Sequence, residues 1–393
     1  MEQCDPIGAR LDRLPLSRFH FRIFGIISFS LLITGFLSYS GNVVLAKLVS
    51  NGWSNNYLNA AFTSALMFGY FIGSLTGGFI GDYLGRRKAF RLNLLIVGIS
   101  ACVATFVPNM YWLIFCRCLM GCGMGALIMI GYASFTEFIP PAVRGKWSAR
   151  LSFVGNWSPM LSAAIGIVVI AFLSWRIMFL LGGAAMLLAW YLSGRYFIES
   201  PRWLAGKGQR SAAEKHLQQV ESQIEKEKNI ILPAWQSAEH RAEVGVESGS
   251  FWLLFKGHML RRTLVAITVL IAMNISLYTI TVWIPTIFVN SGIDVTKSIL
   301  MTAIIMIGAP VGIFIAALII DRFPRRLFGS SLLIIIALLG YFYSIQTAEW
   351  AILSYGLMMI FSCTCTSALP RRCTCLSCGQ RISGCAVQAL STR

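Results

Sequence analysis

The chain has 393 residues, of which 56% are hydrophobic and 12% charged, and a mean hydropathy of +0.68. Soluble domains carry roughly 25% charged residues, so a single water-soluble core is excluded. The formal charge of +17, from 33 Lys and Arg against 16 Asp and Glu, excludes nucleic acid as the natural partner, because the basic residues sit in loops between apolar runs, as at the inner face of a membrane. A polytopic membrane protein, with the lipid bilayer as its solvent, follows.

Residues 1–22 are polar and basic, and no small-residue cleavage site follows the first apolar run, so that run is expected to stay as an anchor. Crossing about 30 Å of hydrocarbon at 1.5 Å per residue takes about 20 apolar residues. Runs of this kind occupy 23–46, 58–80, 92–107, 112–132, 151–173, 178–197, 264–289, 299–320, 327–344 and 350 to about 369. Their backbone amides must bond within each run, and the runs are too long and uniformly apolar for barrel strands, so all are expected to be helices. The 11 cysteines form no secreted disulfide framework: Cys102, Cys116, Cys118 and Cys122 sit in apolar runs, and six more crowd the tail from Cys363 to Cys385.

Loop charges set the orientation. Arg10, Arg13 and Arg18, then Arg86, Arg87, Lys88 and Arg91, then Arg144, Lys146 and Arg150, and finally Arg322, Arg325 and Arg326 occupy alternate loops, while the other loops carry Lys47, Arg176 and Lys297. The N-terminus is therefore expected in the cytoplasm. A polar stretch at 199–262 holds half of the acids, and within it 211–228 reads as an amphipathic helix with Ala213, His216, Leu217 and Val220 on one side. A solvated helix lying on the membrane face is favoured over a partner-docking site.

A shift of 239 positions lays Asp82, Arg86 and Arg87 on Asp321, Arg325 and Arg326, and Gly69 and Gly73 on Gly308 and Gly312. Both copies end an apolar run with Asp and open a basic loop, so two parallel repeats about an axis along the membrane normal are expected. Gly69, Gly73, Gly77 and Gly81 share one helix face, a packing stripe. Asp82 and the basic loop after it form a candidate latch at the membrane surface.

Arg117 is the strongly charged side chain well inside a run, at a cost of at least about 2.5–3.5 kcal/mol, so it is expected to face protein or a water-filled cavity, with snorkelling outward as the alternative. Gly121, Gly123 and Gly125 thin the same helix. No carboxylate or histidine lies mid-membrane, which leaves a proton relay without an obvious carrier. Polar faces recur instead: Thr34, Ser38 and Asn42 in the first run, Ser152 and Asn156 in the fifth, and Asn274, Tyr278 and Thr281 in the seventh. Such groups suit a neutral, hydroxyl-rich solute, with interhelical hydrogen bonds an equal alternative at each position.

The stretch from Gly78 to Arg87 resembles the loop motif of the major facilitator superfamily, and Arg117 to Gly125 matches its span-four Arg-x-x-x-Gly-x-Gly-x-Gly pattern. Glu137 to Gly145 and Glu199 to Leu204 are similar to signatures of its sugar-porter and metabolite-symporter branch. The resemblance covers about 20–362 and implies an all-α membrane fold of two six-helix bundles, alternating access, and a central site lined by spans one, four, seven and ten. It makes Arg117 a coupling or cavity residue, and Asp82, Arg86, Arg87, Glu137, Arg144, Asp321, Arg325 and Arg326 a cytoplasmic gate. Span one lacks the acidic residue that many proton symporters of the branch carry, which leaves uniport or atypical coupling open.

The expected organisation is a cytoplasmic N-terminus (1–22), a six-helix bundle (23–197), a central loop (198–262), a second bundle (263–362) with about ten of twelve spans in all, and a Cys-rich tail (363–393). The function expected is secondary transport of a sugar, polyol or sugar acid, alone or with protons, across a bacterial inner membrane by a monomer. No enzymatic site, cofactor or metal is expected. The alternative is a transport-inactive membrane protein or solute sensor: from about Ser362 the sequence turns to Cys, Thr, Ser and Arg and departs from the repeat, as in an out-of-frame continuation. On that reading the chain as written does not transport. Zinc binding at Cys373, Cys375 and Cys378 is the rival account of the tail.

Overall fold

A computed structural model describes residues 6–230, 295–319, 325–346 and 348–374, with further helical positions at Leu260, Leu264, Ile267, Thr268, Ile271, Asn274 and Ile275. Tyr278, Thr281 and Asp321, along with Cys375 and Cys378 of the zinc alternative, lie outside the described residues. The chain divides into two compact units, Met1–Ala242 and Glu243–Arg393.

In the first unit, α1 (Pro6–Asp12) precedes the long helices α2 (Arg18–Ser50), α3 (Asn56–Leu84), α4 (Arg86–Phe106) and α5 (Met110–Phe138). Then come α6 (Pro141–Gly155), α7 (Ser158–Phe172), α8 (Trp175–Tyr196), the short α9 (Pro201–Gly206) and α10 (Arg210–Lys228). Six stretches, namely α2 to α5, the α6–α7 pair and α8, are long and apolar enough to cross a membrane. Asparagines start two of them: Asn55 Oδ1 accepts from Leu58 N at 2.8 Å, and Asn109 Oδ1 from Trp112 N at 3.1 Å. Packing runs α3 on α5, α5 on α4, α4 on α8, and α8 on α2, with α6 and α7 closing against α2.

The tightest seam is α3 on α5. A Cβ built on Gly69 would lie 2.3 Å from Cys118 O, one on Gly73 1.9 Å from Cys122 O, and one on Gly77 2.7 Å from Ala126 Cα. The predicted stripe is therefore a backbone-to-backbone contact, answered from α5 by Gly121 and Gly125, whose Cβ positions would meet Leu66 O and Tyr70 O at 2.4 and 2.5 Å. Gly123 turns instead toward α4, where Val97 Cγ2 would be 2.6 Å away. Alternate glycines thus let one helix approach two neighbours at once.

In the second unit, α11 (Val295–Met306) and α12 (Gly308–Ile319) are followed by α13 (Arg325–Ile345) and α14 (Glu349–Thr374). The same shift of 239 that aligns the sequence lays α4 on α13 and the start of α5 on the start of α14. The contacts repeat as well. A Cβ on Gly308 would lie 2.7 Å from Leu357 O and one on Gly312 2.6 Å from Phe361 O, and Leu357 and Phe361 are the counterparts of Cys118 and Cys122. Around this seam Ala316, Leu332 and Cys365 form one apolar cluster, and Ile336, Met359 and Cys363 another.

Two runs read as continuous are broken. The fifth stops at Gly155 and resumes at Ser158, leaving Asn156 as the cap of α6 rather than a mid-span residue. The cause is Pro159, which has no amide proton and whose ring clashes with the carbonyl four residues back, at Gly155. Ser158 Oγ donates to that freed carbonyl at 2.7 Å. Pro310 acts in the same way on Met306, and the turn at Ile307 divides α11 from α12. The tail also begins differently from its composition: α14 stays helical through the Cys-Thr-Ser change to Thr374, with Cys363 and Cys365 buried and Cys365 Sγ 3.1 Å from Gly312 O.

Candidate functional site

Arg117 lies on α5 at 1% exposure. Its Nη1 donates to Leu37 O at 2.7 Å and its Nη2 to Ser38 O at 2.6 Å, both on α2, while Nε has no hydrogen-bond partner among the described residues. The guanidinium carbon sits 4.9 Å from the Phe62 ring centre and 6.0 Å from that of Phe179. The residue is thus buried rather than snorkelling outward. Its charge is met by carbonyl dipoles and aromatic faces, and no ion pair joins it among the described residues. Gly41, one turn along α2, makes the room: a Cβ there would fall 2.3 Å from Nη2.

The expected polar face of α2 adjoins this cation. Ser38 Oγ pairs with Tyr70 OH at 2.7 Å and also donates to Thr34 O at 2.8 Å. Thr34 is buried and its hydroxyl donates to Ser30 O at 2.8 Å; Asn42 is buried at 9% exposure. Between α5 and α6, Tyr132 OH pairs with Ser152 Oγ at 2.8 Å, and Asn156 Nδ2 donates to Ser152 O at the same distance. Tyr70 and Tyr132 were missed from sequence; both directly follow a glycine of the close-packed helices, Gly69 and Gly131, and that adjacency was the available signal. Asn274 lies at an exposed helical position in the second unit.

At the other end of these helices the basic loops gather. Gly85, at φ +94°, ends α3 and opens α4, a conformation that side chains resist. Arg86 donates to Glu137 Oε1 at 2.9 Å and to Asp82 Oδ1 at 2.8 Å, joining three expected gate residues. Arg87 turns away from them. Its backbone N donates to Glu199 Oε1 at 3.1 Å, placing a carboxylate on the positive end of α4, and its Nη2 donates to Gly194 O at 2.7 Å. Trp203 Nε1 donates to Asp82 O at 2.9 Å. Arg144 donates to Ile139 O at 3.2 Å and lies 3.7 Å from Asp12, which also pairs with Arg202. Arg325 and Arg326 open α13 as Arg86 and Arg87 open α4.

The N-terminal segment, read as a plain basic tail, is a clamp. Arg10 meets Glu214 at 2.6 Å and Glu221 at 2.5 Å, and Arg13 meets Glu221 at 3.1 Å, so α1 is tied to α10. The Glu221 hydrogen bond, opposed by burial and aided by Glu214, pushes the Arg10 guanidinium above its ordinary range. Burial pushes the Glu221 carboxyl up, but the Arg10 and Arg13 hydrogen bonds outweigh it and hold it below the usual range. The apolar side of α10, with Ala213, Leu217, Val220 and Ile224 buried, packs on α9, α1 and the start of α2.

The Major Facilitator Superfamily model matches residues 27–387. The inner membrane metabolite transport protein YdjE of Escherichia coli is 83% identical over 361 residues, covering 92% of this chain and 80% of that protein. The Acinetobacter baylyi niacin transporter NiaP is 24% identical over 358 residues, covering 90% and 79%. The motifs also suggested a close likeness to YgcS of Escherichia coli; at 27% identity over 336 residues, 83% of this chain and 71% of that one, the relation is distant, and YdjE stands far nearer. Among solved structures, the partially occluded, inward-open xylose transporter XylE from Escherichia coli has the same fold, with a TM-score of 0.68 at 17% identity over 92% of this chain and 84% of that one. With its motifs in order, its repeat seen in both units and the family model spanning most of its length, the chain belongs to the major facilitator superfamily.

Proposed function

We propose that the protein is a secondary transporter, not an enzyme, that moves a small polar metabolite of the sugar, polyol or sugar-acid class across a bacterial inner membrane by alternating access, as a monomer with a cytoplasmic N-terminus. The observation that carries this reading is the buried Arg117 on the carbonyls of Leu37 and Ser38, beside the Ser38–Tyr70 hydroxyl pair. A fixed cation next to neutral hydroxyls, with Thr34 and Asn42 on adjoining turns of α2 and Asn156 at the end of α6, can orient a hydroxylated solute and favour one that also bears a carboxylate. Asn274 and Tyr278 are assigned to solute binding in the second repeat by the same reading, and the Asp82–Arg86–Glu137 cluster to gating, with Asp321, Arg325 and Arg326 as the counterparts of Asp82, Arg86 and Arg87 in sequence. The names of the neighbours, a metabolite transport protein and a xylose transporter, support the solute class. The carboxylates on the spanning helices of the first unit, Asp82 and Glu137, sit at the ends of α3 and α5, and none lies mid-span to take up a proton, which favours uniport, or symport in which the solute carries the proton.

Uptake of labelled sugars, polyols and sugar acids into vesicles tests the proposal. Accumulation or equilibration of one of them should disappear in Arg117→Ala, and Arg117→Lys should restore little, because an ammonium cannot reach two carbonyls with the planar fork of a guanidinium. Solute binding with no flux would favour a sensor. Wild-type uptake by Arg117→Ala would refute the site.

A further inference from the structure

Away from this site, a cavity of about 550 Å³ opens where the ends of α3 and α8 meet the first turns of α4 and the short α9. Three cations line it, Arg87, Lys88 and Arg91, against a single carboxylate, Glu199, which is already occupied by the Arg87 backbone amide. Among the described residues, Nε of Arg87 and Nε of Arg91 are buried without a hydrogen-bond partner. The Arg91 guanidinium carbon lies over Trp190, 5.1 Å from its ring centre, and Trp203 also lines the cavity, so two indoles stand at the depth where the apolar spans give way to charge. Below Lys88, α4 presents Leu92, Ile99, Val103 and Phe106 exposed at helical spacing, and α8 beside it presents Leu181, Leu188 and Tyr191. The cavity therefore has a cationic, indole-walled head and an apolar, outward-facing track running from it along the α4–α8 pair.

We propose that this cavity binds the headgroup of an acidic phospholipid, its phosphate held by Arg87, Lys88 and Arg91 and its acyl chains lying along α4 and α8. The excess of cations over carboxylates selects an anion. The apolar track selects one that carries chains over free phosphate, which could use only the head of the site. Because Arg87 binds Glu199 and Gly194 as well as lining the cavity, a lipid there would brace α4 against α8 and α9, independently of which solute is carried.

Native mass spectrometry of the full chain with added phosphatidylglycerol or phosphatidylcholine reads the site directly. The wild type should retain phosphatidylglycerol in preference to phosphatidylcholine. Lys88→Gln with Arg91→Gln should weaken phosphatidylglycerol retention about twenty- to thirtyfold, leave phosphatidylcholine retention unchanged, and be rescued by Lys88→Arg with Arg91→Lys. Thermal unfolding in phosphatidylcholine nanodiscs reports whether the double variant folds; should it not, Lys88→Gln alone, at an exposed position, should give about a fivefold loss. Equal retention of the two lipids by the wild type, undiminished phosphatidylglycerol retention in the folded variants, or full displacement of the lipid by millimolar inorganic phosphate would each overturn the proposal.

Discussion

Replacing Gly73 with alanine tests the seam on which the bundle is built. In open helix the change is favourable, since alanine exceeds glycine in helix propensity by about 0.8–1.0 kcal/mol. At Gly73 the new Cβ would fall 1.9 Å from Cys122 O and 2.9 Å from Cys122 Cα, both backbone atoms, so no side chain can swing aside. Relief requires α3 and α5 to part by roughly 1 Å, and Gly69 and Gly77 lose their contacts with the same movement. Overpacking of this kind costs about 1–3 kcal/mol; with the seam opening along its length we take the upper end, leaving a net loss of about 2 kcal/mol after the propensity gain. Gly78, five residues further along α3 and off the glycine stripe, has nothing within 4 Å of its Cβ position and should gain stability on the same substitution. Thermal unfolding of purified protein should show Gly73→Ala about 4–8 °C below the wild type and Gly78→Ala at or above it. A Gly73→Ala protein as stable as Gly78→Ala would refute the close approach of the two helices.

Arg86→Gln should destabilise by about 3 kcal/mol by leaving the half-buried Glu137 unpaired, and adding Glu137→Gln should recover part of the loss; additive effects in a double-mutant cycle would show that the two do not interact. The α1–α10 clamp should weaken in acid. The Glu221 carboxyl is held below its ordinary value of 4.5, so its contribution is complete above that value and fades as pH falls through the lower folded value. Limited proteolysis between α1 and α2 should accelerate below pH 4.5, and Glu221→Gln should show the accelerated rate at neutral pH with little further change in acid; acid-independent cleavage of the wild type would count against the clamp.

Much of this fold is legible in the periodicity and repeats of the sequence because the physics behind them is local. A run of apolar residues must be helical in lipid, and a glycine every four residues marks a close contact whatever the partner. Gly69 and Gly73, with Gly308 and Gly312, were legible for that reason. The breaks at Asn156 and Ile307 are written just as locally, in Pro159 and Pro310, but hydropathy does not register them. At the start of the tail the helix outlasts the drop in hydropathy: Cys, Thr and Ser are small enough to suit a helix packed against Gly312, and α14 runs through them. Long-range pairings were the least legible. Arg86, Arg87 and Arg144 are chemically alike in a list, and only the fold sends them to Glu137, Glu199 and Asp12 respectively. The α1 clamp depends on partners about two hundred residues away, beyond any window.

Arg117 joins what the sequence could and could not say. A cation inside an apolar run was visible, and so was the lack of a carboxylate to meet it, but nothing in the sequence identified backbone carbonyls as the counterpart. Two consecutive carbonyls, those of Leu37 and Ser38, can receive a guanidinium fork only if the next turn of α2 leaves space, and Gly41 supplies it. Gly41→Ala is therefore a test of Arg117 that leaves Arg117 in place. Its Cβ would meet Nη2 at 2.3 Å and Phe62 Cε1 at 2.9 Å. These are ends of movable side chains, so the bundle should still fold, at a cost of about 1–2 kcal/mol. The guanidinium, however, must leave its carbonyls, and a buried cation stripped of hydrogen bonds is far costlier than one swung toward a wetter position. Gly41→Ala should thus match Arg117→Ala in lost uptake while unfolding within a few degrees of the wild type. The double variant should be no worse than either single one, because both remove the same interaction. Full uptake by Gly41→Ala would show that the α2 carbonyls are not what holds the cation during transport.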